Sequence, residues 1–223
     1  QGLSVSLKKT TVINFNISKI GLAMKKLLVG LTVSLSLVSF AHAAGNASAG
    51  QAKAAVCAGC HGVEGIAMIP NYPSLAGQHE SFLAKQIMEI RDGARNVPEM
   101  TGMVAGFSDK DAQDVAAYFS AKPKNLGQAD PALVERGQEL YRAGDMAKGI
   151  PACSACHSPN GMGNAQAKYP VLSGQNPAYT EAALKKFRSG ERANDPNNMM
   201  RAIAAKMSDK DIQAVSNYVF GLN

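Results

Sequence analysis

Four cysteines and two histidines have the types and spacing to carry chemistry. The chain of 223 residues contains only four cysteines, and each pair of them is followed directly by a histidine. The two groups are Cys57, Cys60 and His61, and Cys153, Cys156 and His157. Cys-x-x-Cys-His is the attachment pattern of c-type haem. Two thiols one helical turn apart can each add across a haem vinyl group to form a thioether, and the adjacent imidazole is then held against the iron as its proximal ligand.

Three other uses of paired cysteines fit the sequence less well. A redox Cys-x-x-Cys of the thioredoxin kind accompanies a βαβ pattern, which is missing here. A zinc site shared by both pairs is disfavoured because Cys60 and Cys153 are 93 residues apart, whereas zinc ribbons separate their pairs by about 15–20 residues. Two structural disulfides would suit an exported chain, but they would leave the paired histidines unexplained. We therefore predict two covalently bound haem c groups, with His61 and His157 as iron ligands.

The two motifs belong to a sequence unit that occurs twice. Three further segments repeat in the same order after each motif: YPSLAGQ (72–78) and YPVLSGQ (169–175), RDGAR (91–95) and RSGER (188–192), and SDKDAQ (108–113) and SDKDIQ (208–213). The repeat predicts two domains of similar design, 44–122 and 132–223. The polar segment 123–131 between them contains Pro and Gly and is interpreted as a linker.

Apolar residues recur with helical spacing in both units. The pattern predicts helices over 48–56, 81–90 and from 108 in the first unit, and over 132–142, 179–187 and from 208 in the second. Ser108 with Asp111, and Ser208 with Asp211, are the Ser-x-x-acid pattern of a capping box. No segment shows sustained strand-type alternation. The predicted fold is all-α, with two tandem domains of about three main helices each, packed around covalently bound haem.

Comparison of the two units selects the second axial ligand. Methionine occurs ten times, and most methionines fill cores. When the units are aligned on their SDKD segments, Met100 matches Met200, and this is the only position nearby with methionine in both units. Met103 and Met199, which match other residue types, are the alternatives. His79 has no histidine counterpart and is interpreted as a solvent-facing residue at a helix start. Thioether ligation raises the reduction potential relative to a second imidazole, and a six-coordinate iron indicates electron transfer.

The beginning of the sequence resembles an export signal. Met24 and two lysines precede an apolar stretch, 27–40, that ends in Ala41-His42-Ala43. This pattern predicts a secretory signal peptide cleaved after Ala43. A membrane anchor is the alternative, but an uncleaved span requires about 20 apolar residues. Residues 1–23 are interpreted as an upstream leader. The leader and the signal peptide, together residues 1–43, are therefore expected to be absent from the working protein.

Charge and composition narrow the class of partner. The formal net charge is +6, but five lysines and no acidic residue lie within residues 1–43, so the remaining chain carries only +1. No run of basic residues interleaved with aromatics remains, so a nucleic-acid partner is not expected. Trp is absent and aromatic residues make up 6% of the chain. Two porphyrins filling the domain cores would account for that scarcity.

These motifs together resemble the dihaem cytochrome c4 family, a duplicated class I cytochrome c, over 44–223. The resemblance rests on the paired haem motifs, the YPSLAGQ and YPVLSGQ segments, residues 99–103 and 198–201, and the SDKD helix starts. It implies that Met100 and Met200 bind iron, in agreement with the comparison of the units. It also implies that the carbonyls of Pro73 and Pro170 accept a hydrogen bond from Nδ1 of the proximal histidines.

The resemblance also implies a biological setting. It predicts a periplasmic carrier, either free or peripherally associated with the inner membrane, that takes electrons from a respiratory donor complex to a terminal oxidase or another reductase. No small-molecule substrate is expected, and the protein is not expected to be an enzyme. Two alternatives are the dihaem cytochrome subunit of a dehydrogenase, such as a flavin-containing sulfide-oxidising enzyme, and a dihaem peroxidase with one vacant distal site.

Overall fold

A computed structural model of the chain describes residues 45–222. The predicted leader and signal peptide, with cleavage after Ala43, lie outside the described residues. Within them the structure is helical, with no β-strand and only two isolated bridges, Asp145 with Ile150 and Asn164 with Tyr169. The described helices include none that is both long and apolar enough to cross a membrane. The predicted all-α fold is confirmed.

The helices occur in the same order in the two halves of the described chain. The first half contains α1 (Ala47–Lys53), α2 (Ala58–His61), α3 (Glu80–Arg91), α4 (Pro98–Val104) and α5 (Asp109–Ser120). The second half contains α6 (Pro131–Arg142), α7 (Ser154–His157), α8 (Pro177–Ser189), α9 (Met199–Ala204) and α10 (Asp209–Phe220). Two 3-10 turns, Ala54–Cys57 and Pro196–Asn198, complete the list. In the second half, α6, α8 and α10 have 12 or 13 residues and are longer than the helices that carry the haem motif and the matched methionine. In the first half, α3 and α5 have 12 residues, whereas α1 and α4 have seven each.

Local sequence explains where the last helix of each half begins. The hydroxyl of Ser108 accepts a hydrogen bond from the backbone N–H of Asp111, whose carboxylate accepts one from the Ser108 backbone N–H, and Ser208 with Asp211 repeats this box. Hydrogen bonds from the Lys53 ammonium and from Ser108 lower the pKa of Asp111 to about 2. The first four backbone N–H groups of a helix have no acceptor within it, and each capping box provides acceptors for two of them. Both predicted capping boxes are confirmed.

The first and last helices of each half cross at a glycine. In the first half, Gly50 of α1 lies against the backbone carbonyl of Asp114 in α5, so closely that a Cβ atom there would overlap the oxygen. In the second half, Gly137 of α6 lies in the same way against Ala214 of α10. The absence of a side chain is what allows each pair of helix backbones to approach. The packed first and last helices form one side of the apolar core of each half.

Each half has its own apolar core. The first is centred on Val115, Ala116 and Phe119 of α5, all at most 1% exposed. The second is centred on Leu140 and Tyr141 of α6 and Ile150, Ile212 and Val219. The Tyr141 hydroxyl donates a hydrogen bond to the Ser158 carbonyl at 2.6 Å, so its polar end is satisfied beside the second haem motif. The first half has the small, buried Ala54 at the matching position.

Candidate haem-binding sites

The first haem motif spans two short elements. Cys57 ends a 3-10 turn, and Cys60 and His61 lie in α2, so the two thiols stand about one turn apart. Both are free thiols, Cys57 half-buried and Cys60 exposed. Burial, with a smaller contribution from Cys60, raises the pKa of Cys57 to about 11. Two thiols in this arrangement could each form a thioether by net addition of S–H across a haem vinyl group.

The His61 side chain is arranged as a metal ligand. It is 5% exposed, and its Nδ1 lies 2.9 Å from the carbonyl oxygen of Pro73. Because a carbonyl can only accept, Nδ1 carries the proton. Burial lowers the pKa of His61, an effect partly offset by the bond to Pro73, so the ring is neutral at pH 7. Its Nε2 lone pair is left available, and within residues 45–222 that atom has no hydrogen-bond partner.

The second motif reproduces this geometry. His157 is 8% exposed, and its Nδ1 donates to the Pro170 carbonyl oxygen at 3.0 Å. Burial lowers its pKa, as for His61, and burial raises the pKa of the Cys153 thiol to about 11. In both halves a tyrosine ring, Tyr72 or Tyr169, lies 6.1 Å from the histidine ring centroid. Each half thus offers two thiols and a neutral imidazole with a fixed tautomer, the donor set that a covalent haem requires.

The methionines predicted as distal ligands lie in matching short helices. Met100 is partly buried in α4, whereas Met103 in the same helix is 56% exposed. The Val97 carbonyl fixes the start of α4, since it accepts hydrogen bonds from the N–H groups of Met100 at 2.9 Å and Thr101 at 3.1 Å. The burial difference within one helix favours Met100 over Met103.

In the second half, Met199 and Met200 are both partly buried at the start of α9. The buried carboxylate of Asp195 accepts hydrogen bonds from the backbone N–H of Arg201 at 3.0 Å and from its Nε at 2.7 Å. These bonds hold the first turn of α9 in place. Asn197 and Asn198 precede it with φ of 54° and 59°, a conformation that asparagine tolerates better than most residues. In this half, burial therefore does not indicate which of the two methionines is the iron ligand.

His79 is not the solvent-facing residue that the sequence predicted. It does stand at the start of α3, but it is half-buried and its Nε2 lies 2.6 Å from the carbonyl oxygen of Met162 in the second half. The histidine therefore contributes to the contact between the halves. Sequence periodicity did not indicate this role because the bonded residues are 83 positions apart.

Two glutamines that end the repeated YPSLAGQ and YPVLSGQ segments were also missed. Gln78 and Gln175 are buried, and each reaches into the opposite half, where it bonds to both the N–H and the C=O of one residue, Val171 or Ser74. Their identical positions in the repeat were visible in the sequence. What the sequence did not reveal is that the two segments face each other.

The repeated arginines form a second contact between the halves. Arg95 and Arg192 both donate to Oε1 of Gln86, at 2.7 and 3.0 Å. Asn194 donates to the same oxygen at 3.0 Å. Residues from both units therefore converge on one side chain of α3, so the RDGAR and RSGER segments have a structural role at this contact.

The comparisons with known proteins agree with this architecture. The family model described as cytochrome c matches residues 134–223, and the model described as cytochrome c oxidase, cbb3-type, subunit III matches residues 45–119. Two cytochrome c domains, each with its own Cys-x-x-Cys-His motif, define a c-type cytochrome with two covalently bound haem c groups. Such a protein transfers electrons.

Whole-chain relatives identify the family. Cytochrome c4 of Azotobacter vinelandii is 52% identical over 210 residues, which cover 90% of this chain and all of the relative. The crystal structure of reduced recombinant cytochrome c4 from Pseudomonas stutzeri matches with a TM-score of 0.79 at 49% identity, covering 81% of this chain and 100% of that one. The chain belongs to the cytochrome c4 family, whose members are electron-transfer proteins and not enzymes.

A third relative has a more specific description. The thiosulfate dehydrogenase electron acceptor of Thiomonas intermedia is 39% identical over 172 residues, covering 75% of this chain and 78% of the relative.

Proposed function

We propose that His61 and Met100 ligate the first iron, and that His157 and Met200 ligate the second. The proposal is supported by the two buried imidazoles, each held by its Nδ1 proton on a carbonyl so that Nε2 carries the lone pair, and by the equivalent placement of Met100 and Met200 in α4 and α9. The single observation that carries it is the repeated bond from Nδ1 to a proline carbonyl, at 2.9 and 3.0 Å.

A bound haem c supplies a one-electron Fe(II)/Fe(III) couple. The chain's own residues set the conditions for that couple. The cysteines anchor the group covalently, and the proline carbonyls hold each imidazole in one orientation and increase its basicity. The methionine thioethers would provide the second protein ligand to each iron and favour the ferrous state relative to a second imidazole. An iron held by a histidine and a methionine would have no position left for a substrate, which suits a carrier.

The proposed setting is the periplasm, where the protein takes electrons from a respiratory donor complex to a terminal oxidase or another reductase. Support comes from the signal-like sequence 24–43 and from the family relationship. Peripheral association with the inner membrane is part of the same proposal.

Alanine substitution of the methionines tests the ligation. We expect Met100→Ala and Met200→Ala each to remove about half of the ferric methionine–iron charge-transfer absorbance, because each half contributes one such bond. The reduction potential of the affected haem should fall, since loss of the thioether removes a ligand that favours Fe(II). Absorbance spectra of the oxidised protein and a redox titration measure both effects.

Neighbouring methionines are matched controls. Met103→Ala, in the same helix as Met100, and Met199→Ala, adjacent to Met200, should leave the band intact. Loss of the band in either control, with retention in the corresponding Met100 or Met200 variant, would assign the ligand to the neighbour. Retention in all four variants would refute methionine ligation.

A second candidate function is electron acceptance from a dehydrogenase, favoured by the 39% identical relative described as a thiosulfate dehydrogenase electron acceptor. Stopped-flow mixing distinguishes the candidates. Rapid reduction by a thiosulfate dehydrogenase in the presence of thiosulfate, with slow oxidation by oxidase-containing membranes, would support the second candidate. Rapid reduction and oxidation of the protein by respiratory membranes, without added dehydrogenase or thiosulfate, would support the first candidate, a carrier in the respiratory chain.

A further inference from the structure

The two halves of the molecule are joined by a symmetric pair of glutamine amides. The Gln175 Oε1 accepts a hydrogen bond from the Ser74 N–H at 2.9 Å, and its Nε2 donates to the Ser74 carbonyl at 2.9 Å. In the opposite direction, Gln78 Oε1 accepts from the Val171 N–H at 2.8 Å, and its Nε2 donates to the Val171 carbonyl at 2.9 Å. We call these four residues the glutamine bridge. All four are between 5 and 7% exposed.

Each glutamine contacts the peptide group that also holds a proximal histidine. The peptide between Pro73 and Ser74 accepts the His61 Nδ1 hydrogen on its carbonyl oxygen and donates its N–H to Gln175. The peptide between Pro170 and Val171 does the same for His157 and Gln78. A continuous chain of hydrogen bonds therefore runs from each imidazole, through one peptide group, to a side chain of the opposite half.

We propose that Gln175 and Gln78 are positioning residues that tune the proximal histidine of the opposite half. An acceptor on the N–H of a peptide polarises its C=O and makes it a better acceptor, and hydrogen bonds in such chains strengthen one another by about 10–30%. This polarisation is stronger in the glutamine bridge than in a solvent-exposed chain of hydrogen bonds, because all four residues are buried away from water. A stronger Pro73 or Pro170 acceptor increases the basicity of the imidazole, which stabilises Fe(III) and lowers the reduction potential.

Because each glutamine contacts the histidine-binding peptide of the opposite half, an effect on that histidine can be distinguished from a role only in holding the halves together. If the bridge only held the halves together, removal of either glutamine would loosen the same contact and affect both haems alike. If it tunes the histidines, loss of Gln175 changes the haem attached to the first half, and loss of Gln78 changes the haem attached to the second. The inference rests on the proposed ligation of iron by His61 and His157.

The test uses Gln175→Leu and Gln78→Leu in the haem-loaded protein, with redox titrations followed by NMR of the haem methyl signals of each half. We expect Gln175→Leu to raise the Fe(II)/Fe(III) ratio of the first haem about twofold at a fixed potential, which is roughly 18 mV for a one-electron couple. The Nδ1 proton of His61 should move upfield in the reduced protein, because its hydrogen bond is weaker. Gln78→Leu should do the same to the second haem and His157.

Two further variants complete the design. Gln175→Glu keeps an acceptor for the Ser74 N–H, so it should return the potential of the first haem to the wild-type value or below it. Ser81→Ala removes another bond between the halves, from the Ser81 hydroxyl to the Ala165 carbonyl at 2.5 Å, and should leave both potentials unchanged.

Equal shifts at both haems in each leucine variant, or no shift with an unchanged Nδ1 proton, would overturn the inference. Failure of the ligation proposal has a different signature. It would appear in the wild-type protein itself, as a ferric spectrum without the methionine–iron band or a haem that is not low-spin.

Discussion

Replacing Cys153 and Cys156 together with alanine is expected to reduce the covalently bound haem from two groups to one. Each thioether forms at its own cysteine, and no other cysteine is present to substitute for the missing pair. The remaining haem should be attached through Cys57 and Cys60. Mass spectrometry of the denatured protein counts the haems directly, because only covalent attachment survives denaturation.

The reciprocal variant, Cys57→Ala with Cys60→Ala, is the matched experiment and should also yield one haem. It keeps the prediction testable if either half fails to fold without its haem. Retention of two covalent haems in either double variant would contradict the assignment of the four cysteines.

Alanine at the helix crossings is expected to have the largest effect on stability. Gly50→Ala would place a Cβ atom onto the Asp114 carbonyl, and Gly137→Ala would place one onto the Ala214 carbonyl. Overpacking costs typically 1–3 kcal/mol, and we expect about 3 kcal/mol here because the obstacle is backbone that cannot rotate away. For a domain of this size the loss corresponds to a Tm lower by more than about 10 °C. Thermal unfolding followed by circular dichroism measures it.

Gly59→Ala is the matched control for these variants. Gly59 lies in α2, no atom would come within 4 Å of its added Cβ, and the second haem motif carries Ala155 at the equivalent position. Its effect should stay within about 0.5 kcal/mol. A Gly50→Ala variant as stable as Gly59→Ala would show that α1 and α5 do not cross as closely as described.

Much of the fold was predictable because its signals are local. The capping boxes at Ser108 and Ser208 fix two helix starts within four residues of sequence, and the structure places both helices there. The haem motif is equally local, since its five residues lie within two short turns. Because the sequence unit occurs twice, a helix or ligand predicted in one half was also expected at the equivalent position of the other half. The boundaries of the two domains and of the linker 123–131 stay a prediction.

The contacts between the halves were not predictable because they join positions that only the folded chain brings together. Gln175 and Ser74 are 101 residues apart, and Gln78 and Val171 are 93 apart. A repeat shows that two residues are equivalent, but it does not show that they face each other across a pseudo-symmetric contact. His79 illustrates the same limit, because its partner Met162 belongs to the opposite half.

One measurement tests the central claim most directly: a spectroelectrochemical titration of the purified protein, with haem counted by mass. The account predicts two covalent haems, both low-spin when oxidised, that titrate reversibly in two one-electron steps with the methionine–iron band lost and recovered in proportion. A single redox-active haem, or a high-spin ferric haem that binds added external ligands, would contradict a carrier with two haems ligated by histidine and methionine.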